Sequence, residues 1–337
     1  MESIIQRLYT RLERGGFKGR VVSVQRLPDL QGEIEGRRAQ GLFDAEFYRE
    51  RLDWFAFRPP DDFLTAASLV VVAVPRPQTQ VSFTWNGQTR ALILPPTYAG
   101  YQETARQVGD LLAGWLAPAG YHVAPARLPV KALAVRAGLA DYGRNNICYV
   151  PGMGSFHQLA AFYSDLPVPR PVPIPETGTG SGTRRSRPAP AAQAQGGGQG
   201  DGWREPHMLD RCQECQACLR GCPTRAISAD RFLLHAERCI VFHNERPPEY
   251  PFPAWIDPAA HHCLVGCMRC QRICPENKPF LEWVEGDAAF SEEETGQLLA
   301  GATADGLPAA TLKKLERLEL MDYLDVLPRN LGVFFSG

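Results

Sequence analysis

Two runs of cysteines constrain this chain more than any other feature of its sequence. Residues 212–223 have the spacing C-x2-C-x2-C-x3-C-P, and residues 267–275 have the spacing C-x2-C-x3-C-P. Three thiolates at two-residue gaps can wrap one corner of a [4Fe–4S] cubane, and the proline after the last cysteine turns the chain so that this thiolate reaches a second cluster. The two runs therefore predict two [4Fe–4S] clusters that lie close together.

The spacing also predicts which cysteines bind which cluster, because the last cysteine of each run binds the cluster of the other run. The second run leaves its own cluster one thiolate short, and both Cys239 and Cys263 are near enough in sequence to complete it. Cys239 is preferred, although Cys263, four residues before Cys267, also allows ligation. The predicted ligands of cluster 1 are Cys212, Cys215, Cys218 and Cys274. Those of cluster 2 are Cys222, Cys239, Cys267 and Cys270.

Zinc and disulfides are the alternative uses of these cysteines. Zinc also binds C-x2-C pairs, but it gives no reason for three cysteines at two-residue gaps or for the prolines. Disulfides are disfavoured because 337 residues, 44% of them hydrophobic, can form a core without cross-links. No apolar leader is visible, and the longest apolar stretch, residues 69–74, is far shorter than the ~20 residues of a membrane span. We therefore expect a cytoplasmic protein without a membrane partner.

Hydrophobic periodicity predicts strands that alternate with helices. A helix is expected up to Leu12, a buried strand at residues 68–74 and a β-hairpin at residues 81–94 around Asn86-Gly87. Further helices are expected at residues 100–117 and 131–142, the second with Gly143 as a left-handed cap. The pattern indicates an α/β or α+β domain at residues 1–166, a flexible Gly/Pro/Ala-rich insertion at 167–206, a double-cluster module at 207–285 and a helical cap at 286–337.

A longer motif narrows this interpretation. Residues 129–146, P-V-K-A-L-A-V-R-A-G-L-A-D-Y-G-R-N-N, and the element Arg238-Cys239-Ile240, read with the cysteine runs, resemble the epoxyqueuosine reductase family and the related corrinoid reductive dehalogenases. The resemblance implies an α/β domain of that type joined to a ferredoxin-like module, and it favours Cys239 as the eighth ligand.

The resemblance also implies cofactors and partners. A cobalamin is expected between the α/β domain and the cluster module, receiving single electrons through the clusters from a flavodoxin or ferredoxin. Glycines would let the backbone approach a planar ring, although helix packing and capping are the alternative for Gly138 and Gly143. The corrinoid residues implied in this way are Gly138, Gly143, Arg144, Asn145, Gly154 and Ser155.

The sequence departs from the family pattern at the position of the residue that donates a proton in the reaction. Ala126 occupies the position of the family's proton-donating aspartate, and the loop that would donate a histidine to cobalt is absent from the sequence. Tyr142 and Asp141 are therefore the candidate catalytic residues, with Arg144 as a nearby cation. The alternatives are that Asp141 is a surface carboxylate and that Tyr142 belongs to the core. These departures disfavour transfer RNA as the substrate and favour a small molecule or a nucleoside-like compound.

The sequence thus predicts an iron–sulfur, cobalamin-dependent reductase that cleaves a C–O or C–halogen bond. Two alternatives stay open: a non-catalytic electron carrier of the ferredoxin type, and a corrinoid carrier or activator for another enzyme. The net charge of −1 provides no global field that would attract a polyanion.

Overall fold

The computed structural model describes residues 3–168 and 202–335. The predicted insertion at residues 167–206 therefore lies mostly outside the described residues. The helices are α1 Ile4–Arg14, α2 Leu27–Ala39, α3 Ala45–Arg51, α4 Tyr101–Leu116, α5 Val130–Arg136, α6 Ala217–Gly221, α7 Ile240–Asn244, α8 Arg269–Arg272, α9 Glu292–Leu299, α10 Ala309–Arg317 and α11 Leu327–Phe335. The strands are β1 Lys18–Ser23, β2 Ser68–Pro75, β3 Gln78–Trp85, β4 Gln88–Leu94, β5 Val123–Pro125, β6 Asp141–Tyr142, β7 Cys148–Tyr149, β8 His157–Ser164 and β9 Val284–Phe290.

The first half of the chain is built on a four-stranded antiparallel sheet in the order β1-β2-β8-β5. Strand β2 is central and buried on both faces, which explains why almost every residue in it is apolar. Leucines of α1 and α4, such as Leu12 and Leu112, cover one face of the sheet, where they pack with Val70 of β2. Leucines of α2 and α5, such as Leu30 and Leu133, cover the other face.

A second sheet in the order β4-β3-β9 joins distant parts of the chain. Its hairpin turns at Asn86 and Gly87, which have φ angles of 50° and 70°, as a tight hairpin turn requires. The parallel strand β9 crosses the predicted boundary at residue 285, in a segment where only helices were expected. A lone hairpin is only marginally stable, so its apolar face needs a third strand and α9–α11, which pack against it.

One predicted helix is shorter than expected. Helix α5 ends at Arg136, and the left-handed residue after it is Gly138, with φ 71°, whereas Gly143 is not among the described residues with positive φ. The prediction of a helix to residue 142 capped by Gly143 was therefore wrong. The chain instead forms a short ribbon in which Tyr142 pairs with Cys148, and the turn of this ribbon lies against the cysteine module. In the part of the chain that is described, no helix is long and apolar enough to cross a bilayer.

Candidate iron–sulfur centres and the adjoining cavity

The thiols predicted to bind cluster 1 surround one small cavity. It is formed by the segment around α6, the start of the 3-10 turn after Cys274, and the turn between β6 and β7. Its lining includes all four predicted ligands, Cys212, Cys215, Cys218 and Cys274, together with Gly143, Arg144, Asn145 and Tyr149.

The thiols predicted to bind cluster 2 surround a second cavity of about 150 Å³, lined by Cys222, Cys239, Cys267 and Cys270. Cys239 reaches it because it directly precedes α7. Cys263 does not line this cavity, but is buried in an apolar cluster with Phe156 and Met268. The ligand assignment stays a prediction, and this grouping supports Cys239 over Cys263.

The electrostatics of the thiols indicate why iron is needed there. Burial, reinforced by neighbouring cysteines, raises the pKa of Cys239 to about 12 and those of Cys218 and Cys267 to about 11. Four thiolates cannot share such a space unless cations compensate their charge, and a cluster's iron supplies that charge. No three His, Cys, Asp or Glu side chains in the described ranges converge closely enough for a single metal ion.

Three of the residues implied for a corrinoid, Gly143, Arg144 and Asn145, lie beside the predicted cluster 1 thiols. The Arg144 guanidinium donates a hydrogen bond to the Cys212 carbonyl at 2.6 Å, which holds the start of the first cysteine run. Asn145 lines both thiol-lined cavities and donates a hydrogen bond to the Tyr149 hydroxyl at 2.9 Å.

Gly154 and Ser155, also implied for the corrinoid, dock the α/β domain onto the cysteine module. The Ser155 amide donates to Asn277 Oδ1 at 2.8 Å, and its hydroxyl donates to Gln271 Oε1 at 2.7 Å. Asn277 Nδ2 donates back to Ser155 Oγ at 2.8 Å. All these groups are buried. A Cβ on Gly154 would lie 2.5 Å from Asn277 Oδ1, so this glycine is required by close packing of protein on protein.

The remaining two glycines are also packed against protein. A Cβ on Gly138 would lie 3.5 Å from Arg204 Nε, and one on Gly143 would lie 2.5 Å from a ring carbon of Tyr149. These contacts favour a role of the two glycines in helix ending and packing, the alternative left open by the sequence, over a role in contacting a corrinoid ring.

A third and larger cavity, of about 400 Å³, opens between α2, α3, the loop after α3 and the segment of residues 126–132. Six aromatic side chains line it, and three cations do so without any carboxylate. The aromatic residues are Phe43, Phe47, Trp54, Phe55, Tyr101 and Tyr142, and the cations are Arg37, Arg127 and Lys131. Its volume lies within the usual range for small-molecule sites.

The two candidate catalytic residues are neighbours in β6 and face opposite sides of the β-ribbon. Tyr142 lines the large cavity, whereas Asp141 does not. The Asp141 carboxylate is 2.6 Å from Arg204 Nη2 and 3.3 Å from His207 Nδ1, which fits the structural alternative for this residue. Successive residues in a strand face opposite sides, so one of the two had to point away from the cavity.

Burial sets the acidity of Tyr142. Desolvation, with a contribution from the Glu33 charge, raises the pKa of the Tyr142 phenol well above its ordinary value, while Arg37 acts in the opposite direction through a hydrogen bond. Tyr142 therefore carries its proton at neutral pH, and the Arg37 guanidinium beside it forms an ion pair with Glu33 at 2.5 Å.

Sequence reasoning missed three features of this region: the cavity cations Arg127 and Lys131, and Tyr149 at cluster 1. Lys131 and Arg127 flank Pro129 and Val130 in the family-like segment, close to Ala126, and that proximity was the available signal. Tyr149 gave none, because the Cys274 thiol in the same cavity lies 125 residues later in the sequence.

Comparisons with known proteins agree with this geometry. The 4Fe-4S double cluster binding domain family matches residues 211–277. The epoxyqueuosine reductase of Synechococcus sp. (strain CC9605) is 37% identical over 73 residues, which are 22% of this chain and 22% of that protein. The Staphylococcus aureus enzyme is 23% identical over 265 residues, 74% of this chain and 58% of that protein. The matched part thus spans about a fifth of the cyanobacterial relative and little more than half of the staphylococcal one.

Solved structures extend the likeness in fold to nearly the whole chain. Epoxyqueuosine reductase from Streptococcus thermophilus has a TM-score of 0.60 at 15% identity, covering 98% of this chain and 80% of that one. The Bacillus subtilis enzyme has a TM-score of 0.58 at 19% identity, covering 98% and 82%. The predicted mixed α/β fold with a cysteine-rich double-cluster module is confirmed. The chain is similar to epoxyqueuosine reductases in part of its sequence and in its fold, and its residues 211–277 match the double-cluster family.

Proposed function

We propose that this protein, which is similar to the epoxyqueuosine reductases, is a reductase whose two [4Fe–4S] clusters pass single electrons to a group bound in the large cavity. One observation carries the proposal. Asn145 lines both thiol-lined cavities, and the next residue, Asn146, lines the large cavity. Two adjacent residues of one turn therefore connect the predicted clusters, which supply the electrons, with the cavity whose bound group would receive them.

A corrinoid is the group that the family resemblance implies for this cavity. The glycine segment does not fit it, because protein atoms already occupy the space beside those glycines. The large cavity offers apolar walls in Trp54, Phe55 and Val130 and polar groups in Lys131 and Asn146, and at about 400 Å³ it would hold only part of a group as large as a cobalamin. When bound, a corrinoid supplies a strongly reducing cobalt centre for the cleavage of C–O or C–halogen bonds.

The protein's own contribution is a proton and a shielded pocket. Reductive cleavage consumes two electrons and a proton, and Ala126 has no proton to give. Tyr142 is the proposed donor, because it lines the cavity, is protonated at neutral pH and lies beside the Arg37 guanidinium, which is paired with Glu33. Arg127 and Lys131 favour a small substrate that carries negative charge, with an external flavodoxin or ferredoxin as the electron donor.

An electron carrier without a reaction of its own is the second candidate. Such a protein needs the clusters, but it has no use for a cavity of about 400 Å³ lined by six aromatic rings and no carboxylate. A corrinoid carrier would share the cavity but would need no proton donor.

The test is anaerobic purification, determination of iron and sulfide, and isothermal titration with cob(II)alamin. We expect eight irons, a binding stoichiometry of one, and reduction of the bound cobalt by chemically reduced clusters, followed by visible spectra. Ala126→Trp should fill the cavity and abolish binding while it leaves the iron content unchanged. Ala310→Trp, an exposed position on α10, is the matched control. Eight irons without cobalamin binding would favour the electron carrier.

A further inference from the structure

Asn145 occupies a position between the two sets of thiols that its role in the turn does not require. Its side chain is buried, with 2% of the residue exposed, and it lines both cavities. Its carboxamide oxygen accepts a hydrogen bond from the Ile147 amide at 3.3 Å, which fixes the orientation of the side chain. Both hydrogens of the carboxamide nitrogen are therefore directed away from the turn.

One of these hydrogens is donated to the Tyr149 hydroxyl at 2.9 Å. The carboxamide also lines the cavity that contains Cys270, in the thiol set of cluster 2. Tyr149 lines the other cavity together with Cys274, in the thiol set of cluster 1. The hydrogen bond between Asn145 and Tyr149 thus connects two polar side chains that lie beside the two sets of thiols.

The second carboxamide hydrogen of Asn145 and the hydroxyl hydrogen of Tyr149 are donors that lie beside the two sets of thiols. Hydrogen bonds to cluster sulfurs stabilise the more negative, reduced cluster and so raise its reduction potential. Tyr149 is also buried, with 3% exposed, so water cannot replace a lost donor. In such surroundings a hydrogen bond to a charged acceptor is stronger than in water.

We propose that Asn145 and Tyr149 are positioning residues that link the two clusters and set their reduction potentials, Asn145 acting on both and Tyr149 directly on cluster 1. This proposal rests on the two-cluster part of the proposed function but not on the corrinoid or the substrate. The link keeps both potentials within reach of each other, which a one-electron transfer between the clusters requires.

The test is a redox titration of the anaerobically purified protein, followed by electron paramagnetic resonance, for wild type, Tyr149→Phe and Asn145→Ala. Tyr149→Phe removes only a hydroxyl. It should lower the potential of cluster 1 so that, at a fixed poise, the ratio of reduced to oxidised cluster falls about tenfold, which is about 59 mV for one electron. Cluster 2 should change much less. Asn145→Ala should lower both potentials.

Tyr9→Phe is the matched control, because the Tyr9 hydroxyl accepts a hydrogen bond from the Val21 amide on the far side of the sheet. The iron content distinguishes a failure of the proposed two-cluster function from a failure of the role proposed for Asn145 and Tyr149. A wild-type protein without eight irons would overturn the two-cluster function itself. Variants that keep eight irons and wild-type potentials would overturn the role of Asn145 and Tyr149 alone. Asn145→Asp, which keeps the size but replaces the donor by a negative charge, should lower both potentials further and serves if the alanine variant loses iron.

Discussion

Cys239 and Cys263 show how much the surroundings of a residue add to its place in the sequence. Both lie between the two cysteine runs, and Cys239 is half-buried while Cys263 is buried. Cys239 lies on the wall of a cavity with three other thiols, whereas Cys263 contacts aromatic and aliphatic side chains. A thiol among apolar groups behaves as a small hydrophobe and does not need a metal.

This difference predicts the outcome of two serine substitutions. Cys239→Ser should remove one of the four thiolates of cluster 2 and reduce the iron content of the anaerobically purified protein toward four per chain. Cys263→Ser should retain eight irons and cost only stability, because it places a hydroxyl in an apolar cluster. Iron and sulfide determination distinguishes the two. The reverse result would make Cys263 the eighth ligand.

At the scale of secondary-structure elements, the turn between β7 and β8 holds the two halves of the molecule together. Its Ser155 forms buried hydrogen bonds with Gln271 and Asn277, which lie at and just after α8. The same turn contains the glycine-serine pair that the family resemblance assigned to a corrinoid. Its contacts in the structure are with the cysteine module.

Ser155→Ala distinguishes a role in docking the two halves of the molecule from a role in binding a corrinoid. The substitution leaves buried partners unsatisfied, so we expect the free energy of unfolding to fall by about 1–3 kcal/mol. Affinity for cob(II)alamin should not change, since Ser155 does not line the large cavity. Chemical unfolding and isothermal titration give the two readouts, with Ser82→Ala on β3 as a control. A loss of cobalamin affinity at unchanged stability would restore the corrinoid role.

At the scale of the whole molecule, buried histidines make the stability depend on pH. Burial lowers the pKa values of His157, His261 and His262 to about 4. An unfolded histidine has a pKa of about 6.5, so below that pH the unfolded chain binds more protons than the folded one. Stability should therefore be complete above about pH 6.5 and be lost as the pH falls toward 4.

His157→Gln tests this dependence in the most deeply buried of the three. Between pH 7.5 and pH 5.5 the variant should lose about 1 kcal/mol less unfolding free energy than wild type, because glutamine takes up no proton. Thermal or urea unfolding under anaerobic conditions measures the difference. Equal losses in the two proteins would show that His157 is already accessible to protons in the folded state.

Part of this protein was determined by local sequence alone. The spacing of the cysteines predicted the two clusters, and the apolar run of β2 and the Asn86-Gly87 turn predicted their elements, because each depends on neighbours a few residues away. The end of α5 was mispredicted, since both Gly138 and Gly143 are able to end a helix and only the left-handed φ of Gly138 decides between them.

Other features were decided only by tertiary structure. Strand β9 exists because the hairpin of residues 78–94 needed a partner, and that partner lies about 200 residues later in the chain. The placement of Tyr142 at the cavity and Asp141 away from it, and the bridge through Asn145 and Tyr149, depend on contacts across the fold. Such contacts leave no periodicity or spacing in the sequence, because the residues that make them are neighbours only after the chain has folded.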